Sequence, residues 1–216
     1  MRKTLLILFS ILTLQAYAQQ FSFIPKVGYN AAHISGLPDE AKTKHGINAG
    51  LSVEYRLIRP IAIESGIYYS LQGASMEYEY GKELITLDFD IDNDYINVPI
   101  FIKGYLYKGL YIYGGPQIGF LVNSKLNISG NINLFDLAEW KSDDSYDIKE
   151  YQNKVDFSGI IGLGYQFDIG LLISANYNFG FNKLFKSEKF EVEDFNLTDI
   201  SSTRNKVFQL NIGWKF

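Results

Sequence analysis

The chain has 216 residues, no cysteine, two histidines and a formal net charge of −4. This excludes disulfides, thiol catalysis and a lipid-modified cysteine, and argues against nucleic acid as a partner. Sixteen Tyr, sixteen Phe and nineteen Gly beside only two Met is a β-rich rather than a helical composition. The length suits one or two domains.

The chain opens with Arg2 and Lys3, an apolar run from Thr4 to Leu14, and then Ala16-Tyr17-Ala18. That order predicts a secretory signal peptide over 1–18, cleaved between Ala18 and Gln19, and a mature domain over 19–216. An apolar run of about eleven residues is too short to span a bilayer as a helix, which takes roughly 20.

Beyond the signal, apolar and polar residues alternate, which places them on opposite faces of strands. Eight strands are predicted, at about 21–31, 46–57, 61–75, 94–107, 109–123, 154–168, 170–183 and 205–216. In the second, Ile47, Ala49, Leu51, Val53, Tyr55 and Leu57 alternate with Asn48, Gly50, Ser52, Glu54 and Arg56. In the seventh, Leu171, Ile173, Ala175, Tyr177, Phe179 and Phe181 oppose Ser174, Asn176, Asn178, Gly180 and Asn182; Leu172 alone interrupts the polar face. In the last, Phe208, Leu210, Ile212, Trp214 and Phe216 alternate with Gln209, Asn211, Gly213 and Lys215.

Short connections at Ile58-Arg59-Pro60, Lys108 and Asp168-Ile169 alternate with long ones at about 32–45, 76–93, 124–153 and 184–204. Outer-membrane barrels pair short periplasmic turns with long outward loops in this way. A soluble sandwich or lipocalin-like carrier would also alternate, but strands near eleven residues exceed the usual five or six and match a tilted membrane strand. Aromatics also gather at the ends of the apolar faces. Phe21, Tyr55, Tyr165, Phe167, Trp214 and Phe216 are expected at the periplasmic rim. Tyr29, Tyr69, Phe120, Phe157, Phe179, Phe181 and Phe208 are expected at the outer one. The expected fold is therefore all-β, an eight-stranded antiparallel up-and-down transmembrane barrel in the cell outer membrane of a Gram-negative bacterium. Lipid offers no hydrogen-bond partner, so the last strand must close on the first. Pro99 and Pro116 lack an N–H within strands that have no edge, which predicts local irregularity.

Val27-Gly28-Tyr29-Asn30, Tyr95-Ile96-Asn97-Val98-Pro99, Gly114-Gly115-Pro116 and the closing Asn211-Ile212-Gly213-Trp214-Lys215-Phe216 resemble the PorT-type outer-membrane β-barrel family, and through it small OmpA/OmpX-type barrels. The resemblance covers essentially the whole mature chain. It implies an eight-stranded barrel in the outer membrane; the secretion role associated with PorT itself is not transferred. Trp214 and Phe216 are the expected C-terminal assembly signal, read by the barrel-assembly machinery during insertion.

With the apolar faces toward lipid, Lys26, Glu54, Arg56, Glu64, Lys103 and Asp156 point into the lumen, beside Gln117, Gln166 and Gln209. Three cations against three carboxylates suits a neutral salt-bridge network filling an eight-stranded lumen. A conducting lumen is the alternative. Asp88, Asp90, Asp92, Asn93 and Asp94 form an acidic run in the second long loop, but Asn93 replaces the turn glycine of a calcium loop and Pro99 its closing Glu. His33 and His45 fall in the first long loop without further metal ligands in pattern. His33 and Ser35 share one strand face, an arrangement similar to rim-located lipid A deacylases, but in a different strand. No nucleophile elbow, phosphate loop or zinc motif appears. The expected function is a non-enzymatic structural or interaction barrel without cofactor. Its outer loops, with Phe135, Trp140 and Tyr146 among charges, would contact an envelope protein or polysaccharide. A narrow porin-like channel is the second reading.

Overall fold

The computed structural model describes residues 20–36, 41–80, 85–134, 138–185 and 203–216. The proposed signal peptide and its Ala18–Gln19 junction lie outside them. Among the described residues nine strands form one antiparallel sheet: β1 (Phe21–Ser35), β2 (Ala41–Ile58), β3 (Ile61–Tyr80), β4 (Ile85–Tyr105), β5 (Leu110–Leu134), β6 (Ala138–Asp147), β7 (Val155–Gln166), β8 (Leu171–Gly180) and β9 (Arg204–Trp214). β1 pairs with β9 from Lys26↔Gly213 to Ser35↔Arg204, and β4 pairs with β5. The sheet therefore closes as a ring of eight: β1, β2, β3, β4, β5, β7, β8 and β9. Closure leaves the barrel wall no unpaired edge, as a hydrocarbon surrounding requires.

The ninth strand, β6, is not part of that ring. Among the described residues it pairs only with β5, from Lys125↔Asp147 to Leu134↔Ala138. The sequence predicts a loop for this stretch, within 124–153, and likewise for 76–93, which instead completes β3 and opens β4 through pairs up to Tyr80↔Ile85. A 3-10 turn at Lys149–Tyr151 leads from β6 back to β7.

Side-chain direction decides which surface meets lipid. Ile67 is 63% exposed while Ser70 on the same strand is fully buried, and the split repeats around the ring: Leu51 out and Ser52 in, Ile173 out and Ser174 in, Leu210 out and Gln209 in. The aromatics expected at the rims point outward, with Phe21 against Tyr55 at the periplasmic end and Phe179 against Phe181 at the other. Leu172, the exception in its polar row, is buried in the lower lumen with Ile24, Phe101, Tyr111, Tyr113 and Ile160.

The ladder is interrupted opposite Pro99 and Pro116 without a change of register: Pro99↔Gln117 and Ile102↔Gly114 flank the gap. Gly115 lies in it so close to β4 that an added Cβ would sit 1.9 Å from the Ile100 carbonyl oxygen. The missing N–H groups are accommodated by close backbone approach, and the Pro99 carbonyl accepts a bond from Ser65 Oγ at 2.8 Å.

Candidate functional site: the barrel lumen and the sheet above it

The floor of the lumen is a charge cluster. Lys103 Nζ donates to Glu54 Oε2 at 2.6 Å and to Glu64 Oε2 at 2.9 Å. Lys26 pairs with Glu64, and Ser52 Oγ donates to Glu64 Oε1 at 2.9 Å. Lys215 Nζ reaches Glu54 Oε1 at 2.5 Å, and the Tyr105 hydroxyl donates to the same carboxylate. Arg56 stands beside them, its Nη2 3.6 Å from Glu54 Oε1. The register explains the convergence: Glu54 and Glu64 are direct partners across β2 and β3, and Ala62 is opposite Lys103 across β3 and β4. Like charges directly opposed destabilise a sheet, so a cation between them is what this pairing demands.

Five of the six residues expected in the network thus meet. Asp156 does not. It lies on β7 opposite Gly119 of β5, whereas Lys103 is opposite Tyr113 of the same strand, nearer the periplasmic end. Its neighbour there is Asn205. The expected neutral balance fails as well: with Lys215 added and Asp156 removed, the cluster holds Lys26, Arg56, Lys103 and Lys215 against Glu54 and Glu64. Lys215 continues the polar row of β9, a signal legible in the sequence, although it sits between the terminal aromatics Trp214 and Phe216.

Above the floor the lumen is closed by amides and hydroxyls. Asn30 Nδ2 donates to Ser70 Oγ and the Leu71 carbonyl, both at 2.9 Å, while its Oδ1 accepts from Asn48 at 2.7 Å and Gln209 at 2.9 Å. The cavity left among Lys26, Asn48, Asn97, Gln117, Ser174 and Asn211 measures ≈ 30 Å³. That is room for only a water or two, in keeping with the narrow bore of eight strands.

Past the outer rim the faces exchange polarity. Outward positions that carry lipid-facing Ile96 and Val98 lower on β4 become Asp94, Asp92 and Asp90, while the inward row is continued by buried Ile91 and half-buried Phe89. The acids do not lie in a loop. They stand at alternate positions of a strand, and partners occupy them: Lys44 pairs with Asp90 at 3.2 Å and Asp92 at 2.7 Å, Ser75 Oγ donates to Asp90 at 2.7 Å, and Asn127 Nδ2 to Asp92 at 2.6 Å. Among the described residues no group of three or more His, Cys, Asp or Glu is placed to hold a metal. On the inner side Ile34, Ala74, Ile91, Leu184 and Phe185 form a second apolar core with Leu126 and Ile148. This inversion is what water demands on the outside of a sheet that has left the bilayer. From Asp94 to the Ile85 end, β4 rises roughly 30 Å.

His33 and His45 belong to β1 and β2 rather than to a loop. His45 stacks on Tyr29, with ring centroids 5.6 Å apart. Ser35 Oγ donates to the Arg204 carbonyl at 3.2 Å, so it is engaged in structure rather than paired with His33. Tyr146 is exposed on β6; Phe135 lies outside the described residues. Trp214 and Phe216 face outward at the periplasmic rim.

Residues 17–186 match the family described as outer membrane protein beta-barrel domain. Among solved structures the chain is similar to Neisserial surface protein A, at 12% identity over 91% of this chain and 97% of that one, with a TM-score of 0.45. It is similar to Ail, the attachment invasion locus protein of Yersinia pestis, at 16% identity over 91% and 99%, TM-score 0.45. It is also similar to the N-terminal β-barrel domain of Pseudomonas aeruginosa OprF, at 13% identity over 91% and 98%, TM-score 0.39. No curated protein matches the chain in sequence.

Proposed function

Since the chain belongs to the outer membrane protein beta-barrel domain family, and so is a β-barrel of the cell outer membrane, we propose that it serves as a non-enzymatic structural or interaction barrel whose working surface is the extracellular sheet. One observation carries this reading: β3, β4, β5 and β6 continue past the membrane band as one hydrogen-bonded sheet, and among the described residues β6 pairs on one side only. A strand edge free on the cell exterior is a template for an extended segment of a partner. The outer face of the sheet is charged and the barrel below is filled with side chains, which favours contact over transport. The partner class is another envelope protein or a surface polysaccharide. Membership of the PorT-type branch is the finer form of the family reading, and no secretion role is drawn from it. Replacing 77–88 and 125–147 by short turns, with the barrel strands kept, separates the two surfaces. Cells carrying the trimmed barrel are expected to lose adhesion or envelope-assembly phenotypes that the full protein restores. Full restoration by the trimmed barrel would refute this function.

A narrow channel is the second reading. The amide layer and the ≈ 30 Å³ cavity speak against it, and planar-bilayer conductance tests it directly.

A further inference from the structure

The charge cluster on the lumen floor is unbalanced where it opens to the periplasm. Three cations surround one tyrosine ring: Arg56 Cζ lies 4.4 Å from the Tyr105 centroid, Lys103 Nζ 5.5 Å and Lys215 Nζ 5.6 Å. The nearest carboxylate, Glu54, is already occupied. Its two oxygens take Lys103, Lys215 and the Tyr105 hydroxyl at 2.5 to 2.9 Å, and Arg56 is left at 3.6 Å with its side chain 38% exposed. Among the described residues the cluster has four cationic side chains and two carboxylates, so two positive charges have no counter-charge within it. Uncompensated charge at a partly dry site is costly.

Position says what could offset it. Arg56 directly follows Tyr55, and Lys215 directly follows Trp214, both outward-facing aromatics of the periplasmic girdle. Aromatic girdles sit at headgroup depth, so Arg56 and Lys215, which share the single carboxylate of Glu54 with Lys103, stand toward the mouth at the level of the inner-leaflet phosphates. A guanidinium held over a ring presents a planar fork of donors suited to two oxygens of one oxyanion, and an ammonium beside it adds a point charge.

We propose that the periplasmic mouth of the lumen is a phosphate-oxyanion site, with Arg56 as the bidentate donor and Lys215 as the second cation. The phosphate comes either from the headgroup of an anionic phospholipid or from free phosphate. The site does not depend on the extracellular interaction surface, and its failure would leave that reading untouched.

The test uses the refolded full chain in nanodiscs, with the Arg56 guanidinium followed by NMR during titration with inorganic phosphate at constant ionic strength. In phosphatidylcholine discs a saturable shift is expected, absent when chloride replaces phosphate. In phosphatidylglycerol discs a shift already present before phosphate is added assigns the site to the lipid headgroup, and a titration unchanged from phosphatidylcholine assigns it to the free ion. Lys215→Gln is expected to weaken apparent affinity about tenfold, the loss of one charge-assisted contact. Lys108→Asn, in the neighbouring β4–β5 turn, is expected to leave it unchanged. If Lys215→Gln does not fold, as read by heat-shifted electrophoretic mobility, loss of phosphate-induced thermal stabilisation in Arg56→Gln takes its place. No saturable response in phosphatidylcholine discs, together with the same starting position of the signal in both kinds of disc, overturns the proposal. So does equal weakening by Lys108→Asn, because the attraction would then be diffuse.

Discussion

Glu54 and Glu64 stand directly opposite each other on β2 and β3, each almost wholly buried, and both close on the single ammonium of Lys103. Two carboxylates in that register repel unless the cation stays between them. Lys103→Met is therefore expected to destabilise the folded barrel by about 3–5 kcal/mol, the usual consequence of stranding buried charge. Glu64→Ala, which strands Lys26 instead, should cost a similar amount. Urea unfolding in lipid vesicles followed by Trp fluorescence measures both. The double variant Lys103→Met/Glu64→Ala should recover part of the summed loss, and a double variant as unstable as the sum of the singles would argue against direct coupling.

The lipid face makes a second prediction. Leu51 and Ile173 project outward near mid-strand, so Leu51→Arg or Ile173→Arg should destabilise the membrane form by about 2–4 kcal/mol. Sequence reading would make Asn48→Arg a mild control, as an inward residue near a rim. The structure removes it from that role, because Asn48 is buried and donates to Asn30. Ser145→Arg, at an exposed position of β6, replaces it and should be tolerated. Equal tolerance of Leu51→Arg and Ser145→Arg in the same unfolding assay would reverse the assignment of faces.

Conductance gives the third. The amides around Asn30 and the ion pairs beneath them leave a cavity of only ≈ 30 Å³ between Lys26 and Asn211, so purified wild-type protein is expected to show no stable porin-like current in planar bilayers. Well-resolved open-channel steps would promote the channel reading.

The fourth concerns the extracellular hairpin and pH. Asp88 faces Glu77 across β3 and β4. Its carboxyl is held above the ordinary 3.8 by partial burial first, then by repulsion from Glu77 and Asp90, with Lys42 offsetting part of the effect. A carboxyl with a raised folded-state pKa binds its proton more tightly folded than unfolded, so the hairpin is relieved in acid and loses stability as pH rises past 3.8. Asp88→Asn should accordingly slow amide exchange around Met76 and Phe89 at pH 7 and make no difference well below pH 3.8. The same protection factor ratio at both pH values would contradict it.

Much of the barrel was written in the chain's alternation. Ile47 to Leu57 and Phe208 to Phe216 announce a two-faced strand wherever they fold, because successive side chains must point to opposite sides. The short turns at Pro60, Lys108 and Asp168 then leave only one order of neighbours, and the absence of water in hydrocarbon requires closure. The same alternation ran on through Leu87, Phe89 and Ile91 against Asp88, Asp90 and Asp92, yet there it reads as an acidic loop until the sheet is seen. Those residues keep the strand while exchanging the solvent, so the polar side turns outward. Which charges meet was beyond any periodicity. Alternation assigns Lys26, Glu54, Glu64, Lys103, Asp156 and Lys215 to one interior, but only the stagger between strands sets their heights. That stagger brings Lys215 down to Glu54 and leaves Asp156 near Asn205. Partners across a closed sheet are fixed by register, a relation between distant segments that no single segment contains.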